Sequence, residues 1–61
     1  MKTITVNNIS PFDAVHILNK LYFLGASYEF KNGTIKINIK NKFHEEMVNE
    51  YIKGKDYIVT E

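Results

Sequence analysis

Polar and apolar positions alternate in three stretches of the chain, recur with helical spacing in two others and give way to a short apolar run near the end. Lys2-Thr3-Ile4-Thr5-Val6 puts Ile4 and Val6 on one side and two β-branched Thr on the other, as a half-buried strand requires. Asn7-Asn8 interrupts that pattern. Ser10-Pro11-Phe12-Asp13 then supplies a capping hydroxyl, a proline at the first helical position and an acid in the first turn, so a helix is predicted through Leu24. Gly25 is placed to close it, because glycine accepts the left-handed backbone of a helix end. Tyr28 and Phe30 share one face of an alternating run from Ala26 to Lys31, and Ile35, Ile37 and Ile39 share one face of a second run from Thr34 to Lys40. Between them stands Asn32-Gly33, the dipeptide of a type I′ hairpin turn, which needs positive φ at both central residues. A two-residue loop pairs Lys31 with Thr34, Phe30 with Ile35, Glu29 with Lys36, Tyr28 with Ile37 and Ser27 with Asn38. Both apolar sets then fall on the same face. Asn41 is placed to cap a second helix, ended by Gly54, with Phe43, Met47, Val48, Tyr51 and Ile52 on its apolar side. Glu45, Glu46, Asn49, Glu50 and Lys53 form the wet side, and Tyr57-Ile58-Val59-Thr60 reads as a last short strand.

The resulting order, β-α-β-β-α-β, resembles the split β-α-β arrangement of the ferredoxin-like fold. That resemblance implies an α+β domain: a four-stranded antiparallel sheet in spatial order 4-1-3-2, with both helices on one face. At 61 residues, one domain spanning positions 1–61 is the only reasonable count. The resemblance covers nearly the whole chain but is one of fold. No residue motif selects a family, and folds of this kind carry many unrelated functions.

Composition narrows the functional classes. Apolar residues make up 44% of the chain and charged residues 25%, a mixture that forms a globular core. There is no Cys, which excludes disulfides, thiolate metal sites and cysteine nucleophiles, and makes the cytoplasm the expected compartment. No stretch approaches a membrane span, and no membrane partner is expected. Lys, Asn, Ile, Tyr and Phe, all specified by A/T-rich codons, fill 31 of the 61 positions, while Arg and Trp are absent. This composition raises the expectation of a phage-encoded protein acting in a host cytoplasm.

Catalytic chemistry finds little footing. His44-Glu45-Glu46-Met47-Val48 begins like a zinc-protease helix, but the second His that would bring both ligands onto one face is Val48. His16 and His44 are therefore read as partly exposed helix residues, with no metal site. Glu46 and Glu50 lie one turn apart on a solvated face. Ser10 is occupied as a cap, and each of the three Gly is explained by a helix end or a turn, so no phosphate loop remains. No enzymatic activity and no cofactor are expected.

Two surfaces remain. From Phe12 to Leu24, nine of thirteen residues are apolar, more than one sheet-facing stripe needs. Projected at roughly 100° per residue, Ala14, Ile17, Leu18, Leu21 and Tyr22 face inward, flanked by Val15 and Leu24, while Phe12, His16, Asn19 and Phe23 share the opposite side. Two aromatic anchors with a His and an Asn between them suit contact with a protein, or a homodimer. The exposed edge formed by the last strand offers a second route to self-association. The first expectation is thus a non-enzymatic protein-binding module, a regulator or inhibitor of a host protein. The alternative is nucleic-acid binding. The formal charge is only +1, but residues 31 to 42 hold Lys31, Lys36, Lys40 and Lys42 with no acid, and with Asn38 they offer phosphate contacts from the outer face of the sheet. That face lacks the aromatic residues on which RNA-binding sheets stack bases, and the chain lacks Arg.

Overall fold

The computed structural model describes residues 2–61. Its elements run β1 (Lys2–Asn7), α1 (Pro11–Leu24), β2 (Ser27–Lys31), β3 (Thr34–Ile39), α2 (Lys42–Tyr51) and β4 (Asp56–Thr60). The four strands form one antiparallel sheet in the order β2-β3-β1-β4, the expected 4-1-3-2 order read from the other edge. The chain therefore adopts an α+β ferredoxin-like fold. Ile4 and Val6 of β1 and Ile35, Ile37 and Ile39 of β3 share one buried cluster with Ala14, Ile17 and Leu21 of α1 and with Val48 and Ile52 at the α2 end. Both helices thus cover the same face of the sheet.

Local chemistry sets the boundaries. Asn32 and Gly33 take φ of 51° and 75°, and the β2–β3 pairs are those the two-residue loop dictates, from Lys31 opposite Thr34 to Ser27 opposite Asn38. The Asp13 N–H donates to Ser10 Oγ at 3.2 Å, and the His44 N–H donates to Asn41 Oδ1 at 2.8 Å, so each helix begins on a side-chain cap. At the end of α1, Gly25 sits at φ 82°, its N–H shared between the carbonyls of Leu21 and Tyr22, while the Ala26 N–H also reaches Leu21. Ile9, in the loop after β1, is buried, and its N–H donates to the Gly33 carbonyl at 3.0 Å, tying the entrance of α1 to the hairpin turn.

Four expectations need correction. Tyr22 does not face inward: it is 71% exposed, and Val15 beside it is also exposed. The buried stripe of α1 is centred on Ala14, Ile17 and Leu21, and α2 lies along the opposite flank, so nothing shelters Tyr22. Phe43 is exposed as well, since at roughly 100° per residue it lies about 140° around α2 from the buried Val48. Glu45, assigned to the wet side, is instead half-buried, and its carboxylate accepts from Lys2 Nζ at 2.6 Å. Finally α2 stops at Tyr51, capped by Ile52, and Gly54 at φ 82° belongs to the turn that follows.

Two ion pairs join elements distant in sequence: Lys2 with Glu45, and Lys55 with Asp13 at 2.9 Å. The hydrogen bond and charge of Glu45 raise the Lys2 ammonium above the usual lysine range, and those of Lys55 hold the Asp13 carboxyl below the usual carboxylate range. Lys20 lies over the Tyr51 ring, 5.5 Å from its centroid. Both contacts come from the C-terminal end of α2 and the turn after it, and the all-antiparallel sheet order β2-β3-β1-β4 makes the two connecting helices run in opposite directions.

Candidate protein-docking surface

The side of α1 turned away from the sheet is fixed by what its other sides do. Ala14, Ile17 and Leu21 are buried, Leu18 and Leu24 pack against the core, and Asp13 and Lys20 reach toward α2. Phe12, Val15, His16, Asn19, Tyr22 and Phe23 are left on one exposed sector with no charged side chain. Phe12 is 74% exposed and Phe23 86%. Edge-to-face contacts organise the two ends: Phe12 against His16 with centroids 4.8 Å apart, and Tyr22 against Phe23 at 5.8 Å. The four positions expected to share this side, Phe12, His16, Asn19 and Phe23, are all exposed on it. Val15 and Tyr22 widen the patch. Their spacing of three residues from Phe12 and Asn19 could have placed them there, had they not been assigned to the inward flank.

The energetic meaning follows from size. Fully burying one aromatic side chain is worth about 1.5–3 kcal/mol, and this helix leaves three such rings and a Val in water. Isolated exposed apolar residues are ordinary; a contiguous uncharged strip along a whole helix is a candidate contact surface.

Strand β4 forms a second apolar margin. Tyr57 stands opposite Val6 and Val59 opposite Ile4, so both point toward the helix side of the sheet, yet each remains more than two-fifths exposed. Ile58, opposite Thr5, is exposed on the outer face. Among the described residues no strand lies beside the outer edge of β4, so its backbone groups are open to pairing. At the other edge Phe30 stands opposite the fully buried Ile35 but is itself exposed.

The lysine-rich segment is dispersed over three elements and the loop between them. Lys31 ends β2, Lys36 and Asn38 belong to β3, Lys40 follows β3, and Lys42 opens α2; all five residues are exposed. Glu29 stands directly opposite Lys36, which places an acid within the outer-face lysines. The outer face of β1 and β3 is formed by Thr3, Thr5, Thr34, Lys36 and Asn38, with the Thr3 hydroxyl donating to Asn38 Oδ1 at 3.3 Å. The depressions on this side are shallow; one is lined by Glu29, Lys31, Asn32, Thr34 and Lys36.

The two histidines belong to different surroundings. His16 is exposed beside Phe12, whereas His44 is half-buried in α2 with a shielded Nδ1 that has no hydrogen-bond partner among the described residues. Among those residues no cluster of three or more His, Cys, Asp or Glu forms a metal-holding group. No helix among them is long and apolar enough to cross a membrane. No family model, curated protein or solved structure matches the chain.

Proposed function

We propose that this chain is a small, non-enzymatic protein-binding module whose contact surface is the exposed face of α1, with the β4 edge as a second margin. The observation that carries this reading is the uncharged strip from Phe12 to Phe23, aromatic at both ends and set on a helix anchored to the core by its other face. A rigid helix presenting aromatic anchors suits protein contact because little side-chain or backbone freedom is lost on binding. The A/T-rich coding composition supports a phage-encoded regulator or inhibitor of a host protein as the setting. Exposure of Lys31, Lys36, Lys40 and Lys42 favours a weaker second reading, contact with a nucleic-acid backbone. The opposed Glu29 and the absence of stacking aromatics on the described outer face count against it.

The test is retention of host-lysate proteins on the immobilised chain, compared between the native sequence and the double variant Phe12→Ala/Phe23→Ala, with the fold of each checked by circular dichroism. Proteins held by the native chain and lost by the variant are expected. Equal retention of a host protein on both refutes the reading of α1 as its docking face, and no retention on either refutes a host-protein partner.

A further inference from the structure

We infer that the exposed face of α1 docks on the same face of a second copy of this chain, the two helices running antiparallel about a two-fold axis. The inference rests on the reading of α1 as a contact surface and specifies its occupant.

Spacing is the first argument. Phe12, His16, Asn19 and Phe23 follow one another at intervals of four, three and four residues, the spacing of a seam along which one helix lies against another. The seam covers about 16 Å at 1.5 Å per residue, nearly the full length of α1. It is also symmetric in residue type about its midpoint between Ile17 and Leu18. In an antiparallel pair, Phe12 meets Phe23 of the second copy and His16 meets Asn19 of the second copy, each contact occurring twice. Aromatic meets aromatic at both ends, and an imidazole meets a carboxamide at the two central layers, where each can hydrogen-bond the other. An isologous interface requires this self-complementarity, and it is the commonest way for a small chain to form a closed assembly.

Charge is the second argument, independent of the seam residues. Asp13 and Lys20 border the strip on the α2 side, Asp13 paired with Lys55 and Lys20 lying over Tyr51, and antiparallel docking brings Asp13 of each copy toward Lys20 of the other as a further opposite charge. The opposite border carries Val15 and Tyr22, which meet as an apolar pair. A parallel arrangement would lose the Asp13–Lys20 complement, stack His16 on His16 and align the helix dipoles unfavourably. The contact is confined to one helix of each copy, so it belongs at the small end of interface sizes and to the weaker, reversible dimers.

Sedimentation equilibrium of the whole chain between about 1 µM and 1 mM reads the association. A monomer–dimer equilibrium is expected, weakened at least about tenfold by Phe23→Ala, because the truncation removes the aromatic contact at both ends of a small interface. Asp13→Lys and Lys20→Asp are each expected to weaken self-association several-fold. Mixed in equal amounts they should recover it, since the mixed dimer restores both opposite-charge contacts; a purely structural effect on either monomer would not be rescued by mixing. Three results would overturn the inference: a native chain that stays monomeric at the highest concentration, a dimer unaffected by Phe23→Ala, or charge variants that fail to rescue one another. The first leaves the α1 contact reading to its own lysate comparison, so the two failures are separable. The second assigns the dimer to another surface, such as the β4 edge.

Discussion

The two helices solve the same packing problem and differ on the side that packing leaves free. Each lays a stripe of aliphatic residues on one face of the sheet: Ala14, Ile17 and Leu21 from α1, Val48 and the capping Ile52 from α2. Away from the sheet, α2 exposes Glu46, Asn49 and Glu50 around a single aromatic, Phe43, with Lys53 in the turn beyond its end. α1 exposes Phe12, Val15, Tyr22 and Phe23 with only His16 and Asn19 between them. α2 thus serves as an internal comparison: a helix in this domain packs on the sheet with one exposed aromatic among charged residues, where α1 exposes three. The outer face of α1 is the more apolar of the two, which is the contrast the proposed contact role rests on.

That contrast predicts a separation of effects within α1 itself. Leu21→Ala opens a cavity under the helix and should cost about 2–5 kcal/mol of stability in urea unfolding, a large share of what a domain this small possesses. Phe23→Ala, two residues away on the other face, should change stability by no more than about 0.5 kcal/mol, measured at a concentration where the chain is monomeric. Comparable losses at both positions would break the comparison, because they would make the outer face part of the core.

Smaller effects sharpen it. The helices begin on different caps, Ser10 for α1 and Asn41 for α2, and Ser10→Ala or Asn41→Ala should each lower stability by about 1 kcal/mol in the same unfolding measurement. The ion pairs should give the smallest signal, at opposite ends of the pH scale. Asp13 titrates below an ordinary carboxyl, so its contribution is present above the ordinary carboxylate range and lost as pH falls through the lowered value. Lys2 titrates above an ordinary lysine, so its contribution is full below that range and lost as pH rises through the raised value. Urea midpoints followed against pH should show both shallow declines, the acid one reduced by Asp13→Asn and the alkaline one by Lys2→Met.

Much of the architecture was legible in advance. Asn32-Gly33 and the alternating runs around it determine the hairpin register, because a type I′ turn admits one pairing and the pleat then assigns every side chain a face. Ser10-Pro11 and Asn41 mark the helix starts by supplying oxygen or removing a donor where the backbone needs it. Phe12, His16, Asn19 and Phe23 could be placed together because they fall on the side of α1 opposite a buried stripe already defined by its own spacing. Tyr22 and Phe43 escape such reasoning for a common cause: hydrophobicity alone does not carry a side chain into the interior.

What the sequence by itself determined is the order of elements, the face each strand residue points from, and which partner stands opposite it in the hairpin. Tertiary structure decided coverage. Tyr57 and Val59 point toward the helix side and Phe30 shares a face with the buried Ile35, yet all three stay largely open because they lie on edge strands. Coverage also brought Lys2 to Glu45 and Asp13 to Lys55 across more than forty residues of chain. The physical reason is that periodicity and turn chemistry are short-ranged, acting over a few bonds. Burial and ion pairing depend on which distant element arrives overhead, and in this domain α2 shelters one flank of α1 and leaves the other to water.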